Sequence, residues 1–356
     1  MPGSGDQSKL VPDFHMRVKG NDLSAKAIAD ISAISVYESL AMPGMFVLRL
    51  INWDEGKLQM TWSDDALFSE GNEVEIRLGY VDQLKTVLLG EITGLEPEFC
   101  AGEIPMLIVR GYDRRQRLMR GQKVRSFVNM KDSEIAQKIA GEAGLSADVQ
   151  DSKVMLEYVL QHNQTDLEFI QERAWRIGYE VFVDNKTLVF SPRQLSQKEI
   201  LTLSPDENLL EFHPRLTTLS QVEKMEVRSW NSKEKRIIVG RAAIGMESAK
   251  LGGSTSGPEI SKRIFGQSSS TIVDWPVSSQ AEADGIALGS FNEMALSYIS
   301  GDGVCVGQAD LRAGTVVRVD GMGKRFSGLY YVTSVTHSYD PIQGYHSAFT
   351  YRRNAT

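Results

Sequence analysis

The chain has 356 residues, 42% of them hydrophobic, with a formal net charge of -7 and a pI near 5.4. That length suits two or three domains with real cores, and the acidic balance argues against general nucleic-acid affinity, which needs a basic surface. Cys100 and Cys305 lack metal-ligand spacing and read as free thiols of a reducing compartment, and no apolar run is long enough to cross a membrane.

Residues 1–13 are small and polar without an apolar core, so they read as a flexible N-terminal arm and not as a signal peptide. Residues 14–125 read as a first β-barrel domain. In "NEVEIRLGY", Val74, Ile76, Leu78 and Tyr80 share one face while Glu75 and Arg77 take the other. Two further strands follow at meander spacing. Its end, "VRGYDRRQRLMRGQKVR", carries Arg114, Arg115, Arg117 and Arg120. On an acidic protein such a run is either a contact for an acidic partner surface or a solvated junction between domains.

Residues 126–196 change period and read as an inserted α/β domain. Ile135, Ala136, Ile139 and Ala140 make a helical stripe, closed by Gly144. In "YVLQHNQTDLEFIQERAWRIGYEVFVDNKTLVF", Thr165 and Glu168 form a capping box, and Gly178 stops the helix. Asp166 and Glu168 fall in the first turn, where the exposed amides favour negative charge. Phe169 and Trp175 lie on the flanks of the apolar stripe, so they either pack inside the insert or anchor another subunit. A tight hairpin across Asp184, Asn185 and Lys186 closes the unit.

Residues 197–356 return to β grammar as a second barrel domain, with a Gly/Ser-rich flexible loop at 250–271 and a long amphipathic helix at 280–299. The segments from Gly71 and from Gly314 share one layout: a Gly-led strand, a charged turn, a long strand, a Pro-containing turn, and a last strand ending in arginines. Val74 and Val317 fall at equivalent places, which points to an internal repeat. The fold class expected is mainly β with an α+β insert: two similar small barrels plus an inserted α/β region.

Catalytic templates fail. There is no nucleophile elbow, Walker loop, dinucleotide fingerprint or paired-histidine metal motif, so no catalytic residue, metal or cofactor is assigned. His337, in a strand, reads as a satisfied core or edge histidine. A carboxylate pair such as Glu157 and Asp166 keeps a cell-wall glycosidase open as an alternative. A stand-alone β-rich binding module is the other.

The stretch from Tyr158 to Phe190 resembles the signature of the phage late-control D family, tail-hub proteins similar to the hub part of valine-glycine-repeat spike proteins of type VI secretion. Its phrase "Q-x-N-x-[ST]-D", helix, Gly and hairpin is matched by Gln161, Asn163, Thr165, Asp166 and Gly178. "GYDRRQRLMRG", "MKDSEIAQKIAGEAGL" and "ADLRAGTVVRVDGMGKRFSGLYYVTSVTHSYD" resemble family segments in the same order. The resemblance spans residue 70 to the C-terminus. It implies a non-enzymatic baseplate hub, a homotrimer whose six alike barrels adapt a six-fold inner tube to a three-fold spike. Its partners would be other copies, a separate spike protein, the inner tube protein and other baseplate components. It would be cytoplasmic during assembly and then part of a tail or injection particle. The sequence ends after the last hub strand, so the spike is expected on a separate polypeptide. In that frame Arg114, Arg115, Arg117 and Arg120 are candidate tube contacts, and Phe169 and Trp175 candidate subunit contacts. Asn163, Thr165, Asp166 and Gly178 are structural.

Overall fold

The computed structural model describes residues 11–356. The expected N-terminal arm therefore lies outside the described residues up to Leu10, and Pro12 and Asp13 already belong to the first strand. Numbering strands of four residues or more, the first unit contains β1 (Pro12–Val18), β2 (Ile31–Ser39), β3 (Met45–Ile51), β4 (Glu73–Tyr80), β5 (Gln83–Glu98) and β6 (Met106–Tyr112). The insert holds β7 (Lys123–Met130), β8 (Ser146–Val149), β9 (Leu156–Gln164), β10 (Tyr179–Asp184) and β11 (Thr187–Pro192). Its two helices are α1 (Asp132–Glu142) and α2 (Asp166–Arg176). The second unit contains β12 (Leu209–Leu216), β13 (Lys224–Asn231), β14 (Arg236–Ala243), β15 (Ser269–Ile272), β16 (Ile299–Val306), β17 (Val316–Val319), β18 (Gly328–Asp340) and β19 (Gly344–Arg353). Its longer helices are α3 (Gly257–Phe265) and α4 (Gln280–Leu296).

The repeat is visible in the hydrogen-bond ladders. The first unit is ordered β2-β3-β6-β5-β4 and the second β12-β16-β19-β18-β17. Both long strands, β5 and β18, bulge at the same place: the register skips between Ile92 and Gly94 and between Val332 and Ser334, passing a threonine each time. Both first strands bulge too, between Ile31 and Ala33 and between Leu209 and Glu211. A bulge costs ladder bonds and bends the strand, so two coincident bulges mark one architecture used twice. Val74 pairs with Gly90, and Val317 with Tyr330, at matching positions. The first strand pair is a short hairpin in the first unit. In the second, the connection from β12 to β16 carries β13, β14, α3, β15 and α4.

Each unit packs its own apolar core, around Ile34, Phe46, Leu48 and Ile76 in the first and Val317, Tyr330, Val332 and Phe349 in the second. The two are not separate bodies, because β2 pairs with β18 and runs both ladders into one sheet. That ladder is an open path among the described residues. The insert buries Ile135, Ile139, Leu167, Ile170, Val181 and Phe190.

Two expectations are corrected. The segment 250–271 is not a loop, for it contains α3 and β15. Ser256 caps α3 with Glu259, whose carboxylate accepts the Ser256 N–H at 2.7 Å, and Pro258 presets the first turn. The chain end holds the segment down: Leu251 N–H donates to Asn354 Oδ1 at 3.0 Å, and Gly257 N–H to Asn354 O at 2.9 Å. The helix expected over 280–299 ends at Leu296, and Ile299 already opens β16. It is covered on more than one side. Ala283, Ala287 and Phe291 pack with Val227 and Ile238 of β13 and β14, while Gly289 lies against the end of α2.

Candidate functional site

The arginine run is a joint. Asp113 caps the 3-10 turn Arg114–Met119, accepting the Arg115 N–H at 2.8 Å. Its carboxylate also takes the Arg115 guanidinium through Nη2 at 2.7 Å and the Gly44 N–H at 2.6 Å. Arg115 Nη1 donates to Ser39 O at 2.9 Å, tying the end of β2 to the turn. Arg114 pairs with Glu73 and donates to both Asn185 O and Asn185 Oδ1 at 3.1 Å, so it fastens the insert's hairpin to the first unit. Arg117 pairs with Glu91, which also accepts from Gln116 at 2.9 Å. Burial pushes the Glu91 carboxyl upward, but the Arg117 and Gln116 hydrogen bonds and the Arg114 charge hold it below the usual range.

Hence Arg114 and Arg115, expected as tube contacts, are buried at 4% and 2% exposure and are spent inside the chain. Arg117 is exposed though paired, and Arg120 is exposed. Sequence spacing missed the burial because the partners lie up to 76 residues away.

The motif Gln161, Asn163, Thr165, Asp166 and Gly178 builds a second joint. Asn163 takes a φ of 52°, in the left-handed region that asparagine tolerates, at the end of β9. Thr165 Oγ1 accepts the Glu168 N–H at 3.2 Å, and Glu168 accepts the Thr165 N–H at 2.8 Å. The Thr165 N–H and the Thr165 hydroxyl, both donating to it, lower the Glu168 carboxyl. Buried Asp166 is held by Lys123 at 2.6 Å, Arg125 at 2.7 Å and Gln161 at 3.0 Å. Gly178, with a φ of 71°, closes α2 where a Cβ would stand 3.4 Å from Gly289 Cα. The glycosidase pair is not assembled: Asp166 is saturated, and Glu157 pairs with Lys233 of the β13–β14 hairpin.

Phe169, a candidate subunit contact, is 2% exposed and stacked on Phe127 at 5.6 Å. It is a core residue, since α2 buries that flank against β7. Trp175 is 48% exposed and meets Trp275 edge-on at 5.6 Å.

A third joint escaped sequence reasoning. Arg193 Nε bonds Glu180 and its Nη1 bonds Glu293, each at 2.7 Å, and Glu293 also pairs with Arg352. Burial works against the Arg193 cation, but the two carboxylates outweigh it and raise its pKa. The insert, α4 and β19 meet there. The only signal was the arginine pair ending the last strand.

Clefts of about 510 and 600 Å³ flank these joints, the first reaching Glu38, Asp113, Arg115 and Arg312, the second Gln171, Trp175, Arg193 and Arg352. Most of their charged groups pair with one another: Arg312 Nη2 meets Glu38 at 3.2 Å, for example. Among the described residues no group of three or more His, Cys, Asp or Glu could hold a metal ion.

Residues 8–340 match the model of the family described as the Alg8 N-terminal domain. The chain belongs to that family. The description names a domain, not a reaction. No curated protein matches the sequence. Among solved structures, the 43 kDa tail protein of prophage MuSo2 from Shewanella oneidensis superposes with a TM-score of 0.70 at 16% identity, covering 96% of this chain and 98% of that one. The tail protein from Neisseria meningitidis MC58 gives 0.68 at 12%, covering 96% and 97%. The E. coli c3393 protein, a type VI secretion component described as structurally similar to T4 bacteriophage tail proteins gp27 and gp5, gives 0.60 at 16%, covering 96% and 77%. The chain thus has the fold of these phage-tail and type VI secretion proteins, mainly β with an α+β insert. No helix among the described residues is long and apolar enough to cross a membrane.

Proposed function

We propose that this protein is a structural hub of a contractile phage tail or a phage-tail-like injection system, and not an enzyme. The observation that carries the reading is the doubled β unit, with the same strand order and the same two bulges in each half. Three copies of such a chain present six like units, so a homotrimer offers one face to a six-fold inner tube and another to a three-fold spike. The likeness in fold to tail proteins supports this, as do the ion pairs that tie elements together in both clefts, Arg312 with Glu38 in one and Arg193 with Glu180 and Glu293 in the other. The hub's partners are a separate spike protein, the inner tube protein and other baseplate components, and its place is within the assembled particle. Of the basic run, Arg117 and Arg120 remain as tube contacts, and Trp175 remains as a subunit contact.

Negative-stain electron microscopy of the purified protein, alone and with its candidate spike, tests the proposal. A three-fold ring with six similar lobes is expected. Compact monomers in both samples would overturn the hub reading.

A further inference from the structure

Two features break the repeat, and they lie at opposite ends of β12. Ahead of that strand is an acidic turn, tied across by Asn208. Its Nδ2 donates to Thr202 O and its Oδ1 accepts the Ser204 N–H, both at 3.1 Å. Asp206, Glu207 and Glu211 are exposed and make no ion pair among the described residues. Between Glu207 and Glu211 the bulge of β12 turns Leu210 outward, more than half exposed. The bulged residue at the same place in β2 is Ser32, whose hydroxyl donates to Arg49 O at 3.1 Å. Where the first unit has a polar residue satisfied within the chain, the second has a bare leucine among carboxylates.

Beyond Leu216 comes the inserted sheet, ordered β14-β13-β15. α4 covers one face of it through Ala283, Ala287 and Phe291. The other face is bare. Strand alternation puts Lys224, Glu226, Arg228 and Trp230 of β13 on it, with Ile237 and Arg241 of β14. Trp230 and Ile237 oppose each other at 60% and 62% exposure, and Val273, just past β15, is exposed on the same side. The rest of the face is charged. Lys224, Arg228 and Arg241 all converge on Glu226, at 2.7, 2.6 and 3.3 Å. One carboxylate balances only one of these cations, so two positive charges are left over on a chain of net charge -7. Arg228 and Arg241 both stay exposed despite their shared partner.

We infer that the acidic turn of one copy, with Leu210 at its centre, docks on the Trp230 and Arg228 face of the next copy. The inference rests on the trimer proposed above and names a contact that holds it together. The charges are complementary, three unpaired carboxylates meeting two surplus cations, and an exposed leucine meets an exposed aromatic and aliphatic patch. Two surplus cations are too few to hold a bilayer or a nucleic acid, which call for a longer basic stretch.

The contact belongs between copies. The eight residues of β12 hold turn and sheet about 25 Å apart, so neither can reach the other within one chain. Each feature occurs once per chain, as a head-to-tail contact repeated three times around a ring requires. The face is also continuous with Trp175, the remaining subunit contact, because Trp175 meets Trp275 two residues beyond Val273.

The test is sedimentation velocity of the full chain as wild type and as two double variants. Glu207→Lys with Glu211→Lys reverses the turn. Trp230→Ala with Ile237→Ala clears the apolar half of the face and leaves the partners of Glu226 in place. The wild type is expected as a trimer, and each variant should need at least about tenfold more protein to assemble. Mixed in equal amounts at high concentration, the two variants should form heterodimers, since one keeps an intact face and the other an intact turn. Misfolded chains would not complement each other in this way. A wild-type monomer would overturn the ring, and the contact with it. A wild-type trimer that either variant keeps would overturn the contact and leave the ring standing. If that variant instead loses its candidate spike in the same run, the surface belongs to the spike and not to a second copy. Two dissociating variants that fail to pair when mixed would overturn the head-to-tail match of turn and face.

Discussion

His337 shows how a titratable residue is neutralised by its surroundings. It is fully buried on β18, its Nε2 within 3.1 Å of Leu311 O and its Nδ1 within 2.9 Å of the Tyr345 hydroxyl. A carbonyl only accepts, so Nε2 carries the proton and Nδ1 accepts from Tyr345. Burial, with the Arg312 charge adding to it, lowers the pKa from 6.5 to about 3. The unfolded chain therefore takes up a proton below pH 6.5 that the native state refuses. Stability from this group is present above pH 6.5 and falls, at up to about 1.4 kcal/mol per pH unit, as the pH drops toward 3. Calorimetry of the wild type and His337→Phe should show the variant's melting temperature varying less with pH over that range. Equal slopes would contradict the assignment. The arginine joint makes a second residue-level case. Arg115→Ala leaves Asp113 buried without its cation and should cost about 3–5 kcal/mol in urea unfolding. Arg120→Ala, at an exposed site, should stay within about 0.5 kcal/mol.

At the scale of elements, local grammar was legible and distant partnership was not. The Thr165–Glu168 box, the glycine after each insert helix and the hairpin at Asn185 were readable because each is settled within a few residues. The helix α3 was missed because its Gly/Ser neighbourhood suggested a loop, although Ser256, Pro258 and Glu259 spell a start signal. Of the two readings of Phe169, packing inside the insert holds, and the sequence left it open because the partner Phe127 lies on another element. The seam between α2 and α4 was invisible, and it carries a test. A Cβ at Gly289 would fall 2.7 Å from Arg176 O, so the two helices approach only because no side chain intervenes. Gly289→Ala should force them apart, costing about 1–3 kcal/mol as overpacking does. The insert should then become the first part nicked in limited proteolysis. Unchanged protection would show that the seam yields without loss.

At the scale of the whole molecule, the repeat was half-legible. The equivalence of Val74 and Val317 came from matching strand layouts, but the merging of both units into one sheet depends on β2 finding β18 across about three hundred residues. No short pattern encodes that pairing. Other contacts cross the same boundary: Tyr80 donates to Gly307 O at 3.1 Å, Lys85 meets Asp310 at 2.7 Å, and Arg312 holds Glu38. Because the junction is a backbone ladder and not a linker, neither unit can lose β2 or β18 without exposing the other's core strands. Calorimetry should therefore record both β units melting in one transition, and the amides of Val36 and His337 should exchange no faster than those of the strands around them. The β12 amides, on an open edge, should exchange early in the monomer. Two separated β transitions, or fast exchange at Val36, would mean that the internal junction is too weak to act as the rigid unit from which a ring is built.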